Sequence, residues 1–129
     1  MEPAMILAIA AATVASFAFS AALYASPPVA ALVRRHSTPR PGVPVAVQMG
    51  AVLARSLVAA FLILGLMQVA GWEGAGAGAL LGLALGALPA AILSGAIVHE
   101  GVPVALAAVH ALDWVVKLTV IGALVGLLA

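Results

Sequence analysis

The chain has 129 residues, of which 66% are hydrophobic and only 7% charged, and its formal net charge is +1. Its mean hydropathy of +1.30 excludes an ordinary water-soluble domain, which needs more polar residues to cover its core. The small net charge excludes nucleic acid as a partner, because no basic surface can form. The absence of cysteine excludes disulfides and thiolate metal sites.

Four apolar segments are each long enough to cross a bilayer, which takes about 20 residues of α-helix. They cover roughly residues 3–25, 46–70, 75–98 and 103–128, and they use most of the chain. The sequence therefore predicts an all-α fold, a polytopic membrane protein with a bundle of four transmembrane helices. Residues 1–129 are expected to form a single domain.

The link between the first two predicted spans carries the basic residues Arg34, Arg35 and Arg40. Since cytoplasmic loops are enriched in Arg and Lys, this link is predicted to lie inside and both termini outside the cytoplasm. The arginines are interpreted as a topology anchor, with a contact to anionic lipid headgroups or a partner as the alternative. Five prolines in the link argue against a continuous helix there, although residues 29–33 could lie along the interface.

The third predicted span has a stripe of small residues at every fourth position. Its members are Gly74, Gly78, Gly82, Gly86, Ala90 and Ser94. Residues four apart share one helix face, and small side chains let two helices approach closely in lipid. The stripe predicts tight packing either within one bundle or between copies of the chain. Pro89 in the same span predicts a kink.

Four polar residues are predicted to cluster inside the membrane: Arg55, His110, Asp113 and Lys117. Asp113 and Lys117 are four apart, the spacing of an ion pair within one helix. Counting from the predicted span ends places Arg55 and Asp113 at the same depth, about 14–15 Å, which predicts a salt bridge between the second and fourth spans. The cluster either lines a polar cavity for a small anion, a lipid headgroup or protons, or it only fixes helix register.

No arrangement in the sequence predicts an enzyme. His99 and Glu100 stand next to each other at the end of the third span, but two adjacent ligands make a poor metal site without a third. A solvated turn is the simpler interpretation. No nucleophile, base and orienting residue occur in a recognisable pattern, and no Gly-rich loop follows a strand. We therefore expect no catalysis, no metal and no cofactor.

Three stretches of the chain resemble a known family. The stretch from Leu23 to Pro27 is similar to a Tyr-Ser-Pro signature that closes the first helix in a bacterial membrane family, catalogued as domain of unknown function 1761. The glycine-rich third span and the stretches from His110 to Lys117 and from Ile121 to Leu124 also resemble that family. The resemblance implies four helices in a bacterial inner membrane and brings no assigned activity.

Three classes of function remain after these exclusions. The first is a structural or accessory subunit that assembles with itself or within a membrane complex. The second is a small oligomeric channel or transporter that uses the polar cluster, in which case Asp113→Asn abolishes flux while assembly survives. The third is a protein that binds a lipid or small hydrophobe between its helices. Membrane lipids and further copies of the chain are the expected partners.

Overall fold

The computed structural model describes residues 1–129, and all of its regular structure is helical. In chain order the helices are α1 (Pro3–Ala25), α2 (Pro27–His36), α3 (Val45–Ala70), α4 (Ala75–Leu85), α5 (Ala87–Glu100) and α6 (Val104–Leu128). Four stretches are long and apolar enough to cross a membrane, namely α1, α3, α6 and the combined span of α4 and α5. The predicted all-α membrane fold is therefore confirmed.

The link after α1 contains a helix that the proline count argued against. Helix α2 begins with Pro27 and Pro28 in its first turn, where a missing backbone N–H costs nothing because that position has no helical acceptor. The non-helical backbone of this link consists of Ser26 and residues 37–44, around the later prolines. The arginines Arg34 and Arg35 lie in the last turn of α2. Their positive charges stabilise the helix there, because the C-terminal end of a helix carries a partial negative charge.

The third span is interrupted at Gly86, which separates α4 from α5. Pro89 has no N–H to donate to the carbonyl of Leu85, so one hydrogen bond of a continuous helix is missing at this point. The kink predicted at Pro89 stays a prediction: the turn at Gly86 keeps right-handed helical dihedrals, and Gly86 N and Ala90 N still donate to the carbonyls of Gly82 and Gly86. At its far end α5 stops at Gly101, whose φ of 68° is in the left-handed region that glycine adopts without strain.

Helix α6 is the centre of the bundle and packs against each of the other five helices. Helix α3 packs on α1, α4 and α6, whereas α5 packs only on α4 and α6. Helices α3 and α5 do not contact each other. The bundle is therefore closed where α4 lies and open beside α5.

The apolar core occupies the closed half of the bundle. It contains side chains from three helices: Ile9 of α1, Ile63, Leu64 and Met67 of α3, and Leu118, Ile121 and Val125 of α6. Only 23 of the 129 residues are buried, and large apolar side chains such as Val69, 91% exposed, cover the outer surface. A surface of this kind requires lipid around it.

The middle of the small-residue stripe of the third span, at Gly78, Gly82 and Gly86, packs against α6 within the same chain. A Cβ atom added at Gly78 lies 1.9 Å from the carbonyl oxygen of Gly122, and one at Gly82 lies 2.0 Å from that of Leu118. A Cβ at Gly126 lies 2.3 Å from the oxygen of Gly74. The backbones are so close that this face has no room for a second copy.

Candidate functional site

The fourth span supplies the polar centre of the molecule from one face of α6. Asp113 and Lys117 are 5% and 1% exposed, and Lys117 Nζ lies 3.3 Å from Asp113 Oδ2. The ion pair predicted from their i,i+4 spacing is therefore present, and both side chains are almost completely buried. Since each buried charge has an opposite charge beside it, the pair as a whole is neutral.

Helix α1 completes the hydrogen bonding of this centre with two side chains. Ser20 Oγ donates to Asp113 Oδ1 over 2.6 Å. Tyr24, one turn further on, shares a hydrogen bond between its hydroxyl and His110 Nδ1. Together the two contacts fix the register of α1 against α6. Ser20 and Tyr24 are one turn apart on α1, and their partners Asp113 and His110 are about one turn apart on α6.

The predicted salt bridge between Arg55 and Asp113 is wrong. Asp113 instead pairs with Lys117 through one carboxylate oxygen and accepts from Ser20 through the other. Arg55 is exposed and makes neither an ion pair nor a hydrogen bond. Its guanidinium carbon lies 5.8 Å from the centre of the Trp114 ring, within the range of a cation–π interaction.

The gap between α3 and α5 forms a cleft of about 1120 Å³. Its walls come mainly from α3, α5 and α6, with Ser20 and Tyr24 of α1 at one side. The polar residues Arg55, His110, Asp113 and Lys117, which the sequence grouped together, all line it. Most of the other lining side chains are apolar, among them Val58, Leu62, Leu88 and Ile92.

The cleft reaches one end of the bundle, where Ser37 and Gln48 line it. This end carries Arg34, Arg35 and Arg40, and we call it the basic end. All three arginines are exposed and none lines the cleft. The cleft therefore extends from the level of the buried ion pair to the mouth at the basic end.

The remaining predicted packing residues divide at the interruption in the third span. Gly78, Gly82 and Gly86 are buried against α6. Beyond them Ala90 is only half-buried, and Ser94 is exposed and donates to the carbonyl of Ala91 over 2.7 Å. The stripe thus ends where α5 turns to border the cleft.

Comparison with known proteins identifies the family. The model of the family described as "Protein of unknown function (DUF1761)" matches residues 7–126. The chain belongs to this family. No curated protein and no solved structure matches it, so family membership brings no activity with it.

Two of the stretches that carry the resemblance to this family meet at the cleft. Tyr24 comes from the Tyr-Ser-Pro stretch, and His110 and Asp113 come from the stretch in α6. The polar cluster predicted from the sequence omitted Ser20, Tyr24 and Trp114. Ser20 and Tyr24 continue the face of α1 that begins with small residues, so the four-residue period was the indication that they point to α6.

Proposed function

We propose that the protein binds an amphipathic molecule of the membrane, a lipid or a similar hydrophobe, in the cleft between α3 and α5. The observation that carries the proposal is the cleft itself, since two neighbouring spans remain out of contact over a volume of about 1120 Å³. Ligand sites of proteins are mostly apolar concavities of about 300–1,000 Å³ with a few convergent polar groups. Apolar walls around one polar cluster match this description.

The binding hypothesis explains more of the geometry than a purely structural role does. A bundle selected only for packing closes its helices on each other, because association in lipid depends on close van der Waals contact. Here α1, α3 and α4 close on α6, whereas α3 and α5 stay apart. A structural or accessory role, alone or in a homo-oligomer, remains compatible with the exposed outer faces of the bundle, and association through those faces leaves the cleft available.

Transport is the second candidate, and the buried Asp113–Lys117 pair beside the cleft supports it. Ionisable side chains inside membrane spans mark ion and substrate pathways in many proteins. The cleft would then be the site from which a substrate is moved. In that case flux through the protein requires Asp113, whereas simple binding requires only the shape and polarity of the cleft.

For the cellular setting we propose the inner membrane of a bacterium with both termini outside the cytoplasm. The support is the cluster of arginines at the basic end, because positive residues favour the cytoplasmic side. The opposite end carries Trp72 and Glu73 and no basic residue. The mouth of the cleft then faces the cytoplasmic leaflet.

The test is native mass spectrometry of the protein after gentle extraction from its own membranes. We expect a lipid-sized adduct in stoichiometric amount on the parent protein. Ala54→Trp fills the cleft from α3 and should remove the adduct. Ala51→Trp is the matched control, because Ala51 lies on the same helix, is exposed and does not line the cleft.

Two results would overturn the binding proposal. One is a parent protein without any adduct, and the other is an adduct that Ala54→Trp and Ala51→Trp leave equally intact. A stoichiometric foreign protein in place of a lipid makes the chain an accessory subunit. Its function is then determined from that partner.

A further inference from the structure

The charges along the cleft do not balance. Asp113 is the single carboxylate that lines it, and Lys117 neutralises that carboxylate at 3.3 Å. Arg55 adds a second positive charge without a negative partner. With the histidine neutral, the cleft carries one excess positive charge, and that charge is on the guanidinium of Arg55.

Arg55 lies deep within helix α3, and its exposed side chain faces the cleft. It is the tenth residue after the start of α3 at Val45, which corresponds to a depth of about 15 Å along the helix. An unpaired arginine at the centre of a bilayer is costly. The Trp114 ring at 5.8 Å offsets only part of that cost, because a cation–π contact is weaker than a bidentate ion pair.

The chemistry of a group that could pair with Arg55 follows from the guanidinium group. A guanidinium presents paired N–H donors that match the two oxygens of a carboxylate, a phosphate or a sulfate. The walls beyond Arg55 are apolar, with Val58 and Leu62 on α3 and Leu88 and Ile92 on α5. A small hydrated anion would leave these walls unfilled, whereas an acyl or isoprenoid chain would cover them.

We propose that the ligand of the cleft is an anionic amphiphile whose head group pairs with Arg55 and whose apolar chain lies between α3 and α5. This inference rests on the proposed function, and it specifies the class of ligand. The occupant is a membrane component that enters from the bilayer, where α3 and α5 leave the cleft open. Arg55 selects it by charge, and the Asp113–Lys117 pair stays intact beneath it.

The protein contains its own reporter for this test. It has two tryptophans, Trp72 and Trp114, and only Trp114 lines the cleft. In a Trp72→Phe background, lipids with brominated acyl chains quench Trp114 when they occupy the cleft. The probes are brominated phosphatidylglycerol, which is anionic, and brominated phosphatidylcholine, which has the same chains and no net charge, each titrated into nanodiscs of unlabelled phosphatidylcholine.

We expect about a fivefold preference for the anionic lipid in the parent, since that is the effect of one basic residue on an anionic lipid at a membrane surface. Arg55→Gln should reduce the preference to about one, and Arg55→Lys should retain most of it. Arg40→Gln is the control, because it removes an equal charge outside the cleft. Arg55 makes no ion pair or hydrogen bond, so its replacement should leave the fold intact.

The possible failures can be told apart by adding Ala54→Phe, which fills the cleft from α3 without adding a second tryptophan. If both lipids quench equally and Ala54→Phe abolishes quenching, the cleft binds lipid and the anionic inference is wrong. If Ala54→Phe changes the quenching by neither lipid, the proposed function fails as well. If inorganic phosphate displaces the anionic lipid in the parent, the site recognises a soluble anion, and the assignment to an amphiphile is overturned.

Discussion

The contact between α4 and α6 makes Gly78→Ala the most informative single change for the fold. The added Cβ would lie 1.9 Å from the carbonyl oxygen of Gly122. Ordinary contact requires about 3.5 Å, so the two helices must separate by about 1.5 Å. The nearest atoms belong to backbone, which no change of rotamer can move aside. The whole interface has to shift.

A shift of this size should lower the free energy of unfolding by about 1–3 kcal/mol, the usual range for overpacking, and more if neighbouring contacts are lost with it. Gly76→Ala is the matched control. Gly76 lies in the same helix two residues earlier, and nothing lies within 4 Å of a Cβ added there. Replacing this glycine should leave stability unchanged or raise it by up to about 1 kcal/mol, because alanine favours the helix.

The assay is equilibrium unfolding in mixed micelles, followed by circular dichroism as sodium dodecyl sulfate is increased. The expected result is a clear separation between the two variants, with Gly78→Ala unfolding first and no change in oligomeric state before unfolding. Equal stability of the two variants would refute the close approach of α4 and α6. Dissociation of an oligomer without unfolding would place the stripe between copies of the chain.

Further predictions concern the buried polar groups and use the same unfolding assay. Ser20→Ala removes the hydrogen bond to Asp113 and should cost about 1.5 kcal/mol. Ser56→Ala should leave the free energy of unfolding unchanged or raise it, because the buried Ser56 hydroxyl has no partner. If Ser20→Ala and Ser56→Ala lowered the free energy of unfolding equally, both of these predictions would be contradicted. Asp113→Asn leaves Lys117 buried without a counter-charge and should cost about 3–5 kcal/mol. Adding Lys117→Met should recover most of that loss, and purely additive losses would show that the two charges are not coupled.

The parts of the fold that were predictable are those controlled by local rules. Lipid requires long, uninterrupted apolar helices, so hydropathy located the four spans. The Asp113–Lys117 pair depends only on positions four apart on one helix. Each of these features can be derived without knowing which helix lies next to which.

The prediction of an Arg55–Asp113 salt bridge was wrong because depth along a helix does not determine how the helix is rotated. It also does not show which other groups compete for the carboxylate. Counting residues placed the two side chains at the same level, and both do line one cleft. The carboxylate, however, has a partner on its own helix and another at Ser20 on α1. A sequence shows candidate partners for a buried charge, but the arrangement of the helices decides among them.

The cleft could not be predicted from the sequence either, because it exists where α3 and α5 do not contact each other. Its physical origin lies in the change of side-chain size along α6. Gly122 and Gly126 present no side chain on the face of α6 that meets α4, and α4 approaches there to backbone contact. Towards the basic end α6 instead presents Trp114 and the Lys117 ion pair.

At Gly86 a Cβ would already meet the side chain of Val115 at 3.1 Å, and the third span is interrupted there, three residues before Pro89. The tight contact between α4 and α6 and the open cleft between α3 and α5 therefore lie on two successive halves of the third span. Glycines anchor α4 on one half of α6, so α5 can diverge from α3 on the other half without loss of the core. The two halves should therefore respond separately to mutation. Ala54→Trp should alter ligand occupancy with little effect on unfolding, and Gly78→Ala should lower stability before it alters the cleft.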